Sequence, residues 1–318
     1  VTEPNQTDKL RNEPIGWVFV AIAAMLWGSD LLLRPSVLKT GMGPVAIVMF
    51  EHIALAAIFA PSLIKSFPTW KKMSWKEVIG LLFIAWGGSA LATVLLTQAY
   101  SIGEPITATL LQKLQPAFAV SLAAPILRER PKWMFFVCFG LALVGAYLMS
   151  FGLTWVADPA SSKVLTAALL AIGAAAIWGG CTVIGRWSLH RLEPFTVAGL
   201  RFTLALPMLL VWNLLQGGVS ASQFAVVPAA LLPLAAIVIL PDALGMALYY
   251  FGLNRTTASQ ATLAELAYPA TAVLLAYPTT HDFTIWKWIG VALLIISLHF
   301  IRMGKMVRAP AVNVNQGA

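Results

Sequence analysis

Apolar residues run along this chain in stretches of about 20, separated by short polar or turn-forming segments. That is the pattern of helices long enough to cross a bilayer. Ten such stretches are predicted, at residues 15–35, 44–64, 77–100, 105–127, 133–151, 163–187, 195–216, 228–252, 258–279 and 284–303. Turn chemistry and charge gather at the breaks, as at Gly41-Met42-Gly43-Pro44, Phe67-Pro68 and Arg128-Glu129-Arg130-Pro131. The breaks near 100–105 and 253–258 are the shortest. The first stretch is too long for the apolar region of a cleaved signal peptide, and it carries Asp30 and Arg34 at its far end. Residues 1–14 and 304–318 read as unstructured tails.

Composition sharpens this picture. Of 318 residues, 59% are hydrophobic and 11% charged, against about 25% charged in a typical soluble domain. Too little polar surface is present to cover so large an apolar interior, which excludes an ordinary soluble enzyme and a disordered protein. The two cysteines, Cys138 and Cys181, lie inside apolar stretches and read as small buried hydrophobes. The class that remains is an all-α polytopic membrane protein. With the N-terminus inside, 15 of the 21 Lys and Arg fall in inner loops and tails, and only Arg34, Lys39, Lys163 and Lys287 fall outside. This bias predicts that both termini are cytoplasmic. It also accounts for the net charge of +8 through topology and anionic lipid contact, without a nucleic-acid partner.

The two halves of the chain resemble each other. Leu26-Trp27-Gly28 matches Ile177-Trp178-Gly179 at an offset of 151, and Gly43-Pro44 matches Glu193-Pro194 at 150. The segment 109–117 (TLLQKLQPA) matches 262–270 (TLAELAYPA) at 153. Each half then holds five spans, residues 15–157 and 158–303. Because five is odd, the second copy enters the membrane from the opposite side. Inverted repeats are a transporter signature, since two similar bundles can rock about a midplane site and expose it alternately.

These features together resemble the drug/metabolite transporter superfamily, EamA type: ten spans, a five-plus-five repeat, a Trp-Gly pair opening each half, and a proline in the fourth and ninth spans. The resemblance covers residues 15–303 and implies export of small metabolites across an inner membrane, amino acids among them. The aromatic-rich spans resemble the YddG-type amino-acid exporters in particular. The family often carries an Arg-Phe pair in the second and seventh spans. Here Arg201-Phe202 fits, while the second span has Glu51-His52.

Paired helix weaknesses point to the cavity. Gly88, in Trp86-Gly87-Gly88-Ser89, and Pro241 occupy matching places in the third and eighth spans, and Pro116 and Pro269 mark the fourth and ninth. Spans 3, 4, 8 and 9 are therefore expected to enclose the site, lined also by Trp27 and Trp178. Ionisable residues at depth are the second signal, because a charge there costs at least ~2.5–3.5 kcal/mol unless it faces a cavity or a partner. They are Glu51, His52, Lys113, Arg201, Asp242 and Glu265. Arg201 either snorkels toward the cytoplasmic end of its span or faces the cavity. Asp242 either caps the half-helix broken at Pro241 or binds a proton. Lys113 and Glu265 are expected to differ in depth by roughly 9–10 Å. They form a structural ion pair, or they offer poles for a zwitterion, with Lys113 taking a carboxylate and Glu265 an ammonium. Gln98, Gln112, Gln115 and Tyr268 add hydrogen bonds, and Tyr249 adds apolar contact.

The expectation is a secondary carrier for small amphiphilic metabolites, neutral or aromatic amino acids first, with Glu51, Asp242 and Glu265 as proton-coupling groups. Another metabolite or drug of the same superfamily is the alternative. A membrane-embedded enzyme or a channel is disfavoured: no His-Glu-x-x-His, Cys-x-x-Cys, Gly-x-Ser-x-Gly or nucleotide-binding loop is present, and no filter strip is visible. No cofactor or metal is expected.

Overall fold

The structure is a computed structural model that describes residues 15–103, 105–151, 153, 162–217, 221–268, 271, 284–302 and 307–308. Residues 1–14, Pro269, most of the second half of the ninth span and all of 304–318 except Val307–Arg308 lie outside the described residues; those two form a short strand where the sequence reads as an unstructured tail. Among the described residues, the longer helices in chain order are α1 (Gly16–Trp27), α2 (Asp30–Leu38), α3 (Pro44–Lys65), α4 (Trp75–Ile102), α5 (Pro105–Gln112), α6 (Gln115–Ile126), α7 (Trp133–Phe151), α8 (Ser162–Ser188), α9 (Pro194–Leu215), α10 (residues 221–253), α11 (Ala258–Ala264) and α12 (Ile285–Arg302), with single turns at Phe67–Trp70 and Glu265–Ala267. Among the described residues, six segments are long and apolar enough to cross a membrane: Gly16–Leu38, which joins α1 and α2, then α3, α4, Lys163–Ser188, α9 and Val227–Leu253. Large apolar side chains such as Leu215, Leu232 and Ile64 leave 82%, 81% and 76% of their surface exposed. Water penalises such a surface and lipid does not.

Local chemistry sets the helix ends. Pro44 and Pro194 open α3 and α9, each following a residue in extended conformation, because proline's fixed φ suits the first turn and its missing N–H costs nothing there. Ser74 and Glu77 form a reciprocal capping box at the start of α4. The middle of α4 (Phe83–Ala92) and of α10 (Val238–Leu244) is wound as π-helix. In α10 the cause is Pro241, which removes one ladder donor and crowds the preceding turn.

Helices α3 and α9 pack along each other, as do α7 and α12. Helix α1 lies on the last part of α10, and α8 lies on α4 and α6. Several contacts bring backbones together at glycine. A Cβ on Gly252 would fall 2.6 Å from the carbonyl oxygen of Gly16, and one on Gly290 would fall 2.6 Å from that of Gly145. Without a hydrophobic drive between helices in lipid, such small-residue contacts carry the packing.

A short ladder joins two distant parts of the chain. Strand β1 (Arg130–Pro131) pairs antiparallel with β2 (Val307–Arg308). Beside it, Arg128 has φ of 55°, which turns Glu129 toward the start of α11. Its buried carboxylate accepts the N–H of Ala258 (2.8 Å), the N–H of Ser259 (2.9 Å) and the hydroxyl of Ser259 (2.5 Å). An anion at a helix N-terminus satisfies orphan donors and meets the positive end of the dipole. Glu129→Ala is expected to cost about 1–3 kcal/mol of stability, read as a lower Tm of the detergent-purified protein.

Candidate functional site

The broken helices surround one central cavity. About 110 Å³ of it is open to the centres of water molecules, several times what one buried water needs. Trp27 reaches it from α1, Asp30 and Arg34 from α2, Glu51 and His52 from α3, and Ser89, Thr93 and Thr97 from α4. Gln112, Lys113 and Gln115 come from the α5–α6 break. Trp178, Cys181 and Thr182 project from α8, Arg201 and Phe202 from α9, and Pro241, Asp242, Met246 and Tyr249 from α10. Glu265 and Tyr268, at the end of α11, complete the wall.

Two buried arginines in this cavity have different surroundings. Arg34 is paired with Asp30 (Nε to Oδ2, 2.7 Å) and with Glu51 (Nη1 to Oε1, 2.9 Å), and it also donates to the hydroxyl of Thr97 at 3.3 Å. Among the described residues, Arg201 meets only neutral acceptors. Its Nε donates to Ser89 Oγ at 2.5 Å, and its Nη1 donates to Tyr250 Oη at 3.4 Å and Met246 Sδ at 3.6 Å. Arg201 is 5% exposed, so it faces the interior and does not snorkel.

Lys113 and Glu265 both line the cavity, yet among the described residues they make no ion pair within 4.0 Å. Lys113 Nζ lies over the Tyr268 ring, 3.6 Å from its centroid, a cation–π contact. Glu265 Oε2 accepts from Gln115 Nε2 at 2.5 Å. The direct ion pair considered from the sequence is therefore absent, because each partner is held by a neutral neighbour. Gln115→Leu leaves the buried Glu265 carboxylate short of a donor. It is expected to cost about 1–3 kcal/mol, checked by thermal melting of the variant against wild type.

Aromatic side chains form the apolar walls. Trp27 stands 5.1 Å from Tyr249, centroid to centroid. Trp178 Nε1 donates to the carbonyl of Gly88 at 2.8 Å, the same carbonyl that Thr93 Oγ1 reaches at 3.2 Å. Tyr249 Oη shares a 2.8 Å hydrogen bond with Thr182 Oγ1. Gly88 itself does not line the cavity; a Cβ there would run into Cys181 Sγ. Pro116 is buried in the first turn of α6, beside Gln115. Buried polar atoms without a hydrogen-bond partner include Trp27 Nε1, His52 Nε2, Gln112 Oε1 and Asp242 Oδ2.

Gln98 is a correction to the sequence reading. It is half-buried and not part of the cavity wall. Thr97 takes the inward position, and one residue further along the helix points about 100° away. Sequence reasoning passed over Arg34 and Asp30, which it placed at an outer helix end, and Ser89, Thr97 and Thr182. The Asp30–Arg34 spacing of four residues on one helix face was the available signal. Among the described residues, no group of three or more His, Cys, Asp or Glu is placed to hold a metal ion.

Comparison with known proteins bears on this arrangement. The EamA-like transporter family matches residues 14–151 and again 165–303. The riboflavin transporter ImpX of Fusobacterium nucleatum subsp. nucleatum is 29% identical over 269 residues, covering 82% of this chain and 88% of that protein. The uncharacterized inner membrane transporter YicL of Salmonella typhimurium is 25% identical over 312 residues, covering 93% and 98%. A crystal structure of a protein with 18% sequence identity covers 91% of this chain and 98% of its own, with a TM-score of 0.70. That likeness shows a shared fold.

Proposed function

The chain belongs to the EamA-like transporter family, and from that premise we propose that this multi-pass membrane protein is a secondary carrier that exports small amphiphilic metabolites. Neutral or aromatic amino acids are the leading class, as in the YddG-type exporters. The proposed architecture is ten transmembrane helices in two inverted five-helix repeats, residues 15–157 and 158–303. Both termini are cytoplasmic and the location is the inner membrane. The repeat is supported by the two successive matches of one family and by the packing of α3 on its counterpart α9. The orientation rests on the Lys/Arg bias.

One observation carries the functional reading: a single interior cavity combines aromatic walls with buried charges of both signs. That combination suits a small molecule with an aromatic or apolar body and polar ends. Trp27, Trp178, Tyr249 and Tyr268 grip the body, while Gln112, Gln115 and Lys113 meet its polar atoms. Glu265 takes its ammonium end. Gly88, Pro116, Pro241 and Pro269 are the points at which the helices yield as the halves rock. Glu51, Asp242 and Glu265 are the groups that would carry a coupled proton.

A flavin is the second reading. It is favoured by the likeness to the protein named a riboflavin transporter, and its flat ring system would use the same aromatic walls. The experiment is uptake by purified protein in liposomes, with labelled phenylalanine, tryptophan, leucine and riboflavin, with and without an imposed pH gradient. Saturable uptake of the amino acids supports the first reading, and uptake of riboflavin alone replaces it with the second. A rate that follows the pH gradient supports proton coupling, and an unchanged rate identifies a uniporter.

A further inference from the structure

We propose that Arg201 is the anion-anchoring residue of the transport site and holds the carboxylate of the substrate. The proposal rests on the carrier reading above and deepens it by naming the substrate group that is recognised. Two buried guanidinium groups line one cavity, and only one of them has a carboxylate. Among the described residues the ion pairs are Arg34–Asp30, Arg34–Glu51 and Arg191–Glu77. Arg201 has Ser89, Tyr250 and Met246 instead. A buried cation is costly unless a counter-charge reaches it, and here the protein supplies hydroxyls and sulfur, which fix the group without neutralising it. Asp242 lines the same cavity but makes no ion pair with Arg201 within 4.0 Å, and a positioned guanidinium without a direct carboxylate partner, facing a cavity, is suited to take an anion, its planar fork matching a carboxylate.

The internal repeat adds an independent argument. The offset of 150 that relates Pro44 to Pro194 also relates Glu51 to Arg201, and the offset of 153 relates Asp242 to Ser89. The relation between the halves therefore carries the pair Arg201–Ser89, one residue from each half, onto the carboxylates Asp242 and Glu51, again one from each half. The rings of the next residues, His52 and Phe202, meet edge-on at 5.3 Å. The cavity is thus dipolar across the line where the halves meet. Lys113 is less suited to the role, since its Nζ already rests on the Tyr268 ring and it shares its wall with Glu265.

The test is liposome uptake of phenylalanine and of phenylalaninamide, which keeps the ring and the ammonium but lacks the carboxylate, by wild type, R201Q, R201K and K113M. Wild type is expected to prefer phenylalanine by about thirtyfold or more, the scale of losing a buried charge partner. R201Q is expected to erase that preference, while K113M retains it whatever its rate. R201K keeps the positive charge but cannot make two parallel bonds to a carboxylate, so its preference falls to an intermediate value. It is the readout if R201Q does not fold. The proposal is overturned if wild type moves both compounds equally, if it moves riboflavin and discriminates against neither compound, if R201Q or R201K prefers phenylalanine as strongly as wild type, or if K113M is the variant that loses the preference. A wild type that moves nothing in the panel defeats the carrier reading itself.

Discussion

Arg34→Met is expected to destabilise the protein by about 3–5 kcal/mol, among the largest effects of any single substitution in the chain. The guanidinium neutralises Asp30 on its own helix and Glu51 on α3, and it holds the hydroxyl of Thr97 on α4. Glu51 is 1% exposed, so the variant strands a carboxylate in the membrane interior with no counter-ion. The expected reading is a much lower Tm in detergent and a reduced yield of monodisperse protein. The double variant Arg34→Met/Glu51→Met removes both charges together, and it is expected to recover most of the loss. Replacing a whole buried pair by apolar groups is often neutral, whereas breaking it is not. Equal instability of the single and double variants would show that Arg34 acts through its packing and not through its charge.

Gly179→Leu is expected to abolish transport and to lower stability by more than the 1–3 kcal/mol usual for overpacking. A Cβ at this position would fall 2.8 Å from the amide nitrogen of Ala119 and 2.9 Å from the carbonyl oxygen of Gln115. Both are backbone atoms of α6 and cannot swing aside. Helix α8 would have to move off α6, pulling Thr182 away from Gln115, which it meets at 3.5 Å beside the bond from Gln115 to Glu265. Gly28 is in the same position in the other half, where a Cβ would fall 2.7 Å from the carbonyl oxygen of Tyr268. The Trp-Gly pair that opens each half thus has a physical account: the tryptophan lines the cavity, and the glycine lets its helix touch a broken helix that also lines it. Uptake and size-exclusion profiles of Gly179→Leu and Gly28→Leu would check this. Normal transport by either variant would show that the contact can open without loss.

The lengths of the apolar stretches and the turn residues between them make much of the fold legible from sequence. Pro44, Pro194 and the Ser74–Glu77 capping box fix helix starts by local chemistry, so their positions follow from residue type alone. Pairings between distant segments are not legible in that way. That Glu129 caps α11 depends on the backbone turn at Arg128, and no local pattern announces a partner 129 residues away. In the cavity, residues whose place on the wall follows from depth and charge, such as Glu51, Lys113 and Glu265, are visible as charges in apolar stretches. Which face a residue turns inward is harder to read when a helix is polar on several sides or wound as π-helix, and Gln98 and Thr97 exchange places for that reason. Arg34 is hidden differently. It stands near a helix end, where snorkelling to the interface is the ordinary fate of a long basic side chain, and only the three-dimensional placement of Glu51 shows that it points inward.

The central claim is that one cavity, exposed to each side in turn, carries the substrate. Counterflow tests it most directly. Liposomes containing the purified protein are loaded with an excess of the unlabelled compound that the uptake panel selects, then diluted into a trace of the same compound labelled. A carrier with a single alternating site returns loaded from each side, so label should accumulate transiently above its equilibrium level and then decline. Label that rises only to equilibrium, at a rate indifferent to the internal load, would mean a continuous pore and would contradict the account.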